Sequence, residues 1–197
     1  MRTSVALAAA TLAATFSTGV FAAGLAKDCP AHVSSAVEAT FGAGASDMTR
    51  CLQKRSNVKL VYQLNLFTDP ANSSKPYGLG NIQNAINDYR DNYGMEMGKD
   101  VEIAVVIHSS AAKMAVQDVV LRSKGVGANP FENTIRGLIA QGVDVYLCQN
   151  SVRSLIKEGA LTPGYANSEL IDGGEFVTSG VTAIPDFQSR GYLYVQP

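Results

Sequence analysis

"VDVYLCQNSVRS", residues 143–154, decides how the rest of the chain is read. Val143, Val145, Tyr146 and Leu147 suit a buried strand, the strand runs straight into Cys148, and the residues behind the cysteine read as the start of a helix. In open α/β sheets, ligands gather outside the carboxyl ends of the strands. A thiol at such an end, facing the amino terminus of the next helix, is either a small buried hydrophobe or a reactive group.

The same unit of strand and helix recurs on both sides. "VKLVYQLN" (58–65) is β-rich and mostly apolar, as a strand covered on both faces is. "FTDPANSSKPYGLG" (67–80) reads as a polar loop, and Ile82, Ala85, Ile86 and Tyr89 then stand at helical spacing within 81–93. "VEIAVVIH" (101–108) is a second buried strand, followed by an Ala-rich helix near 111–123 and the Gly-rich turn "KGVGANP". Pro130 opens another helix to about Gln141. After the third strand, "NSVRSLIKEG" (150–159) is a short helix, "EFVTS" (175–179) a fourth strand, "TAIPDFQSRG" (182–191) a helical turn and "YLYVQ" (192–196) a fifth strand. Strand alternating with helix predicts an α/β domain, a parallel sheet with helices on both faces.

A chain of 197 residues that is 46% hydrophobic can bury one full core. A net charge of −1 with no Lys/Arg run gives no electrostatic footprint for nucleic acid or an anionic membrane surface. Met1-Arg2 supplies a positive start, Val5 to Phe21 is an uncharged, Ala-rich apolar run, and the small residues Ala22, Ala23, Gly24 and Ala26 follow. That is the pattern of a Sec-type signal peptide, shorter than the ~20 apolar residues of a membrane-spanning helix and without a stop-transfer Lys/Arg cluster. Cleavage is expected after Ala22, with Ala26 as the alternative, and a retained anchor is the competing reading. The domains read as signal peptide 1–22, N-terminal extension 23–57 and α/β domain 58–197. The mature protein is expected in the periplasm or outside the cell, with no attachment to the membrane.

Export bears on the three cysteines. In an oxidising compartment disulfides persist, and an odd count leaves one thiol over. Cys29 and Cys51 both precede the first strong strand and are expected to pair, closing a loop of about 20 residues that contributes roughly 3 kcal/mol by chain entropy. Cys29, His32 and Cys51 as a metal site is the alternative, lacking a visible fourth ligand. A helix over Ser34–Phe41, with Ser34 or Ser35 as N-cap and Gly42-Ala43-Gly44 as its stop, lies between them. Met95-Glu96-Met97, as soft copper ligands, is better read as loop. Neither "GLGN" (78–81) nor "GVGAN" (125–129) matches a phosphate-binding motif, and Gly-x-Ser-x-Gly and Cys-x-x-Cys-His do not occur. No metal and no cofactor is expected.

The strand ends place Asn65, His108, Cys148 and Ser179 on one rim if the sheet is parallel. The helix after Cys148 begins near Asn150 or Ser151, so its unpaired N–H groups and partial positive charge favour a thiolate, with Arg153 one turn on. His108 competes with a purely hydrogen-bonded structural role, and Asn65 and Ser179 with roles as turn residues or N-caps.

"GVDVYLCQNSVRS" and the tail "SGVTAIPDFQSRGYLYVQP" (179–197) resemble the DsrE/DsrF/TusD-like family, in which V-x-V/I-Y-x-C precedes a short helix and the chain closes on Asp-Leu/Phe-Gln, Gly-Tyr and a last strand. "VEIAVVIHSSAAKM" (101–114) is similar to the family's second strand and its histidine. The resemblance spans about residues 58–197. It implies a flavodoxin-like three-layer α/β/α fold with a mainly parallel five-stranded sheet, homo-oligomers, and a cysteine that carries sulfane sulfur as a persulfide. Only Cys148 matches that carrier position, and His108 matches the histidine. An exported leader and a two-cysteine preface depart from the cytoplasmic sulfur-relay members, so the sulfur donor and acceptor stay open.

Two functions therefore compete. A sulfur carrier or sulfurtransferase needs Cys148 reduced and reachable, whereas a non-catalytic binding or assembly module leaves it buried. Export has its own test. Protein recovered from the exported fraction is expected to have an intact mass lacking residues 1–22, and a mass that keeps Met1 and the apolar run means a retained anchor.

Overall fold

In the computed structural model, which describes residues 29–51 and 56–197, the long apolar runs among the described residues become strands of one sheet. The elements in chain order are α1 (Ala31–Phe41), α2 (Ala45–Met48), β1 (Val58–Leu64), β2 (Thr68–Asp69), β3 (Asn72–Pro76), α3 (Leu79–Ile86), β4 (Val101–Ile107), α4 (Asp118–Ser123) and α5 (Glu132–Ala140). They continue with β5 (Val143–Cys148), α6 (Gln149–Lys157), α7 (Ala166–Glu169), β6 (Gly174–Val177), α8 (Gly180–Ser189) and β7 (Leu193–Val195). The expected signal segment, with Lys27 and Asp28, lies outside the described residues.

The sheet order is β6-β5-β4-β1-β7, with every pairing parallel. Side chains alternate between faces along a strand. Leu60, Tyr62 and Leu64 of β1, Val101, Ile103, Val105 and Ile107 of β4, and Val143, Val145 and Leu147 of β5 all face the main core, packed by residues from α3, α4, α5 and α6. The opposite face carries a much smaller cluster, Val61, Ala104 and Val106 against Ala183, Ile184 and Phe187 of α8. Helices do flank both faces, but α8 alone covers the second. Toward the amino ends of the strands that face turns polar: Lys59 pairs with Glu102 at 2.9 Å, and the Tyr192 hydroxyl donates to Glu102 at 2.7 Å.

Several elements differ from the sequence expectation. The polar loop 67–80 contains the antiparallel hairpin β2–β3. The Ala-rich segment is not one helix: Ser109–Ala115 is a 3-10 helix, and α4 begins only at Asp118. Between them Val116 bridges Leu170, the Ile171 N–H donates to Ala115 O, and the Gln117 N–H donates to Glu169 O. Tertiary strand-like pairing overrides alanine's helix propensity there. The helical turn 182–191 is the ten-residue α8, with Pro185 inside it. Helix α1 starts at Ala31 behind Pro30, so neither Ser34 nor Ser35 caps it. Its Glu38 carboxylate instead accepts the Gly44 N–H, the Ser46 N–H and the Ser46 hydroxyl, holding the start of α2.

Cys29 and Cys51 are joined by a disulfide with Cα atoms 5.2 Å apart, and Cys148 is free. The bridge takes both sulfurs that the metal alternative with His32 would have used. Met95 is 2% exposed and belongs to the core.

The loop "GVGAN" is shaped by Asn129, the one buried polar side chain among the described residues. Its amide donates to Met114 O and Val116 O, both at 2.7 Å, and accepts the Phe131 N–H at 3.1 Å. This ties the break after the 3-10 helix to the start of α5. Asn129→Ala strands two buried carbonyls and an N–H, and is expected to cost about 3 kcal/mol. Urea unfolding should show a lower midpoint at unchanged slope. Gly137→Ala, on α5 with nothing within 4 Å of the new methyl, is expected to stabilise by about 0.5–1 kcal/mol.

Candidate functional site

The register of β4 and β5 sets the site. Ile107 stands opposite Leu147, both facing the main core, so the next residue on each strand, His108 and Cys148, turns toward α8. The His108 N–H still donates to Leu64 O at 2.9 Å, continuing the ladder of β1. Helix α8 begins between the two side chains. A methyl on Gly180 would stand 2.8 Å from His108 Cβ and 2.9 Å from Cγ, so only glycine lets α8 start this close to the imidazole.

Cys148 is 5% exposed and stands directly before α6. Burial is the largest influence on the thiol and pushes its pKa up, but the N–H of Gly180, the N–H and hydroxyl of Ser151 and the N–H of Asn150 favour the anion. Together they hold the pKa below the ordinary thiol value. The sulfur thus faces donors from two helix starts at once. Arg153 is not among the groups acting on it: the guanidinium is held outward by Asn150 Oδ1 at 2.6 Å and Gln149 Oε1 at 3.3 Å.

His108 is tied on both ring nitrogens, Nε2 to the Gln63 side-chain amide at 2.7 Å and Nδ1 to Ser109 Oγ at 2.9 Å. Tyr194, from β7, donates its hydroxyl to Gln63 Oε1 at 2.8 Å. Burial lowers the pKa of His108, which favours the neutral ring. Ser109 has φ 54°, the left-handed region that a serine seldom occupies, and in that conformation its N–H donates to Ser151 Oγ at 2.8 Å.

The structure therefore brings His108, Ser151, Asn150 and Cys148 together. Neither Asn65 nor Ser179 is among the groups acting on the sulfur: the Asn65 carbonyl accepts the Ser110 hydroxyl at 3.2 Å, and Ser179 occupies the N-cap position of α8, directly before Gly180, without a side-chain cap bond. Gln63, Ser109, Gly180 and Tyr194 were not singled out from sequence. A lone glutamine in an apolar strand was the one visible signal among them. Two clefts flank the site. One of about 380 Å³ has Ser109, Asn150 and Ser151 on its wall, and one of about 390 Å³ runs under α8 past Tyr146, Val177 and Ser179.

Comparison with known proteins agrees with this architecture. The chain matches the MTH1491 protein of Methanobacterium thermoautotrophicum, a protein of unknown function, with a TM-score of 0.50 and 23% identity over 72% of this chain and 100% of that one. It also matches the ychN protein from E. coli with a TM-score of 0.46 and 19% identity, over 71% of this chain and 99% of that one. No curated protein matches. The model of the DsrE/DsrF-like family matches residues 61–197, from the middle of β1 through β7 and across every residue of the site. The five-stranded parallel sheet is flavodoxin-like, and the chain belongs to the DsrE/DsrF-like family, which is linked to sulfur relay.

Proposed function

We propose that this chain is an exported carrier of sulfane sulfur that holds its cargo as a persulfide on Cys148. The observation that carries the reading is the set of donors from α6 and α8 around a reduced, unpaired thiol. A thiolate is the form that attacks sulfur, and a pKa below the ordinary value supplies it near neutral pH. In the transfer, the Cys148 thiolate attacks the terminal sulfur of a polysulfide or persulfide donor. The donor's S–S bond breaks, its electron pair leaves with the shortened donor as a thiolate, and a new S–S bond forms on Cys148. The charge that develops on the outer sulfur lies near the same N–H groups. Passing the sulfur on reverses these roles, with an acceptor thiolate attacking the outer sulfur.

Export is part of the reading, supported by the Cys29–Cys51 bridge, which suits an oxidising compartment. Homo-oligomerisation is another part, supported by the sheet face that α8 covers only in part and by exposed Val181, Leu193 and Tyr194 beside it. A second reading, a binding or assembly module on the same scaffold, is favoured by the 5% exposure of Cys148. Under the carrier reading, the first turn of α6 or α8 moves aside to admit a donor from the flanking clefts.

Alkylation of the native protein across pH, followed by polysulfide treatment and peptide mass analysis, separates the two. The carrier reading expects an alkylation midpoint below the ~8.5 of an ordinary thiol and a gain of one sulfur atom on the Cys148 peptide, absent in Cys148→Ser. A thiol that resists alkylation until unfolding, and never gains sulfur, leaves the binding module. Gly180→Ala tests the contribution of α8. The new methyl must push either His108 or the helix start away, so the alkylation midpoint should rise and stability should fall by about 1–3 kcal/mol.

A further inference from the structure

We propose that His108 acts on Cys148 at one remove: its ring, held as the Nδ1–H tautomer between Gln63 and Ser109, fixes the Ser109–Ser151 pair so that the Ser151 hydroxyl keeps its proton for the sulfur. The assignment starts at β7. Gln63 Oε1 takes the proton of the Tyr194 hydroxyl at 2.8 Å, so the amide NH₂ faces His108 Nε2 at 2.7 Å. An NH₂ group only donates, so Nε2 is the bare nitrogen and the neutral ring carries its proton on Nδ1. That proton goes to Ser109 Oγ at 2.9 Å, and neither ring nitrogen is left for the thiol.

The next link is backbone. Ser109 holds φ 54°, a conformation that costs a serine energy unless its surroundings enforce it, and the bond from His108 to its hydroxyl is one such restraint. In that conformation the Ser109 N–H donates to Ser151 Oγ at 2.8 Å. The Ser151 oxygen is thereby occupied as an acceptor. Its own proton remains, and the sulfur of Cys148 is the acceptor that it favours as an anion. The other titratable or charged side chains around the site are the Lys113–Glu158 ion pair, which lines the same cleft as Ser109 and Ser151, Arg153 on α6, Tyr194 on β7, Glu175 on β6 and, further along α8, Asp186 and Arg190. None of these is among the groups acting on the thiol, where burial opposes hydrogen-bond donors alone. His108, Gln63, Ser109 and Tyr194 are thus positioning residues, and Ser151 is the side chain that meets the sulfur.

This rests on Cys148 being the reacting thiol, but its readouts do not depend on sulfur transfer, so a protein that fails to carry sulfur still tests it. The chain has two histidines, so long-range nitrogen–proton NMR correlation on the native protein can assign the ring of His108. Protonated Nδ1 and bare Nε2 at neutral pH are expected, and a proton on Nε2 overturns the assignment. In alkylation profiles, Ser151→Ala is expected to raise the midpoint by about one pH unit, the loss of one hydrogen bond to a charged group. His108→Phe keeps the ring packed on Gly180, removes both nitrogens, and should raise the midpoint by no more than Ser151→Ala does. The double variant should match Ser151→Ala alone, because both changes break the same chain of contacts. Additive shifts, or an unmoved midpoint in Ser151→Ala, overturn the proposal. Should the variants fail to fold, the tautomer of the native ring decides by itself.

Discussion

Two strands in parallel register, ending at the same level, fix nearly everything that matters at this site. Ile107 and Leu147 are partners in the ladder, so the chain reaches His108 and Cys148 together and on the same face. Each strand leaves the sheet there by a different device: β4 through the left-handed Ser109 into a 3-10 helix, and β5 directly into α6. The connection from β6 to β7 must then cross from one edge of the sheet to the other, and α8 makes that crossing over the same face. Its first residue meets both side chains. A different register would place the thiol among the packed core residues and the imidazole elsewhere.

The chemistry of the sulfur is a contest between burial and hydrogen bonding. Removing a thiolate from water penalises it, and burial is the largest single influence on Cys148. Four donor contacts from three residues oppose it, and a hydrogen bond to a charged group is worth about 1.5–3 kcal/mol where one pH unit is about 1.4 kcal/mol. The net direction is downward because three of the four donors are backbone N–H groups already fixed by α6 and α8, which need little reorganisation to meet the charge. Arg153, the formal cation nearest in sequence, plays no part, since its guanidinium satisfies itself on the outer side of α6.

Much of the fold was legible because buried parallel strands read as unbroken apolar runs. Val101–Ile107 and Val143–Cys148 agree with the sequence to within a residue. The hairpin Thr68–Pro76 was not legible: it is polar and exposed, so no apolar alternation marks it. The break at Val116 was hidden for the opposite reason, since alanines favour a helix and the pairing with 169–171 that prevents it is a tertiary contact. At the site, Cys148 and His108 could be found because strand ends are visible in sequence. The link from Tyr194 through Gln63 to His108 could not, because it joins residues 131 and 45 positions apart. The left-handed serine and the close glycine have local sequences like many others.

The N-terminal extension and the buried thiol bear on each other. Outside the family match, Cys29 and Cys51 are oxidised, while inside it Cys148 has no fourth cysteine with which to pair. In the exported compartment we propose, an exposed low-pKa thiol would be the first group in the chain to be oxidised or captured in a mixed disulfide. Covering it removes that hazard without removing the donors that activate it, because those donors are themselves part of the cover. The same helix starts that favour the thiolate also restrict who can reach it. Under the proposed carrier reading, access rather than intrinsic reactivity selects the sulfur donor, because a donor would have to displace the first turn of α6 or α8 to reach the buried sulfur.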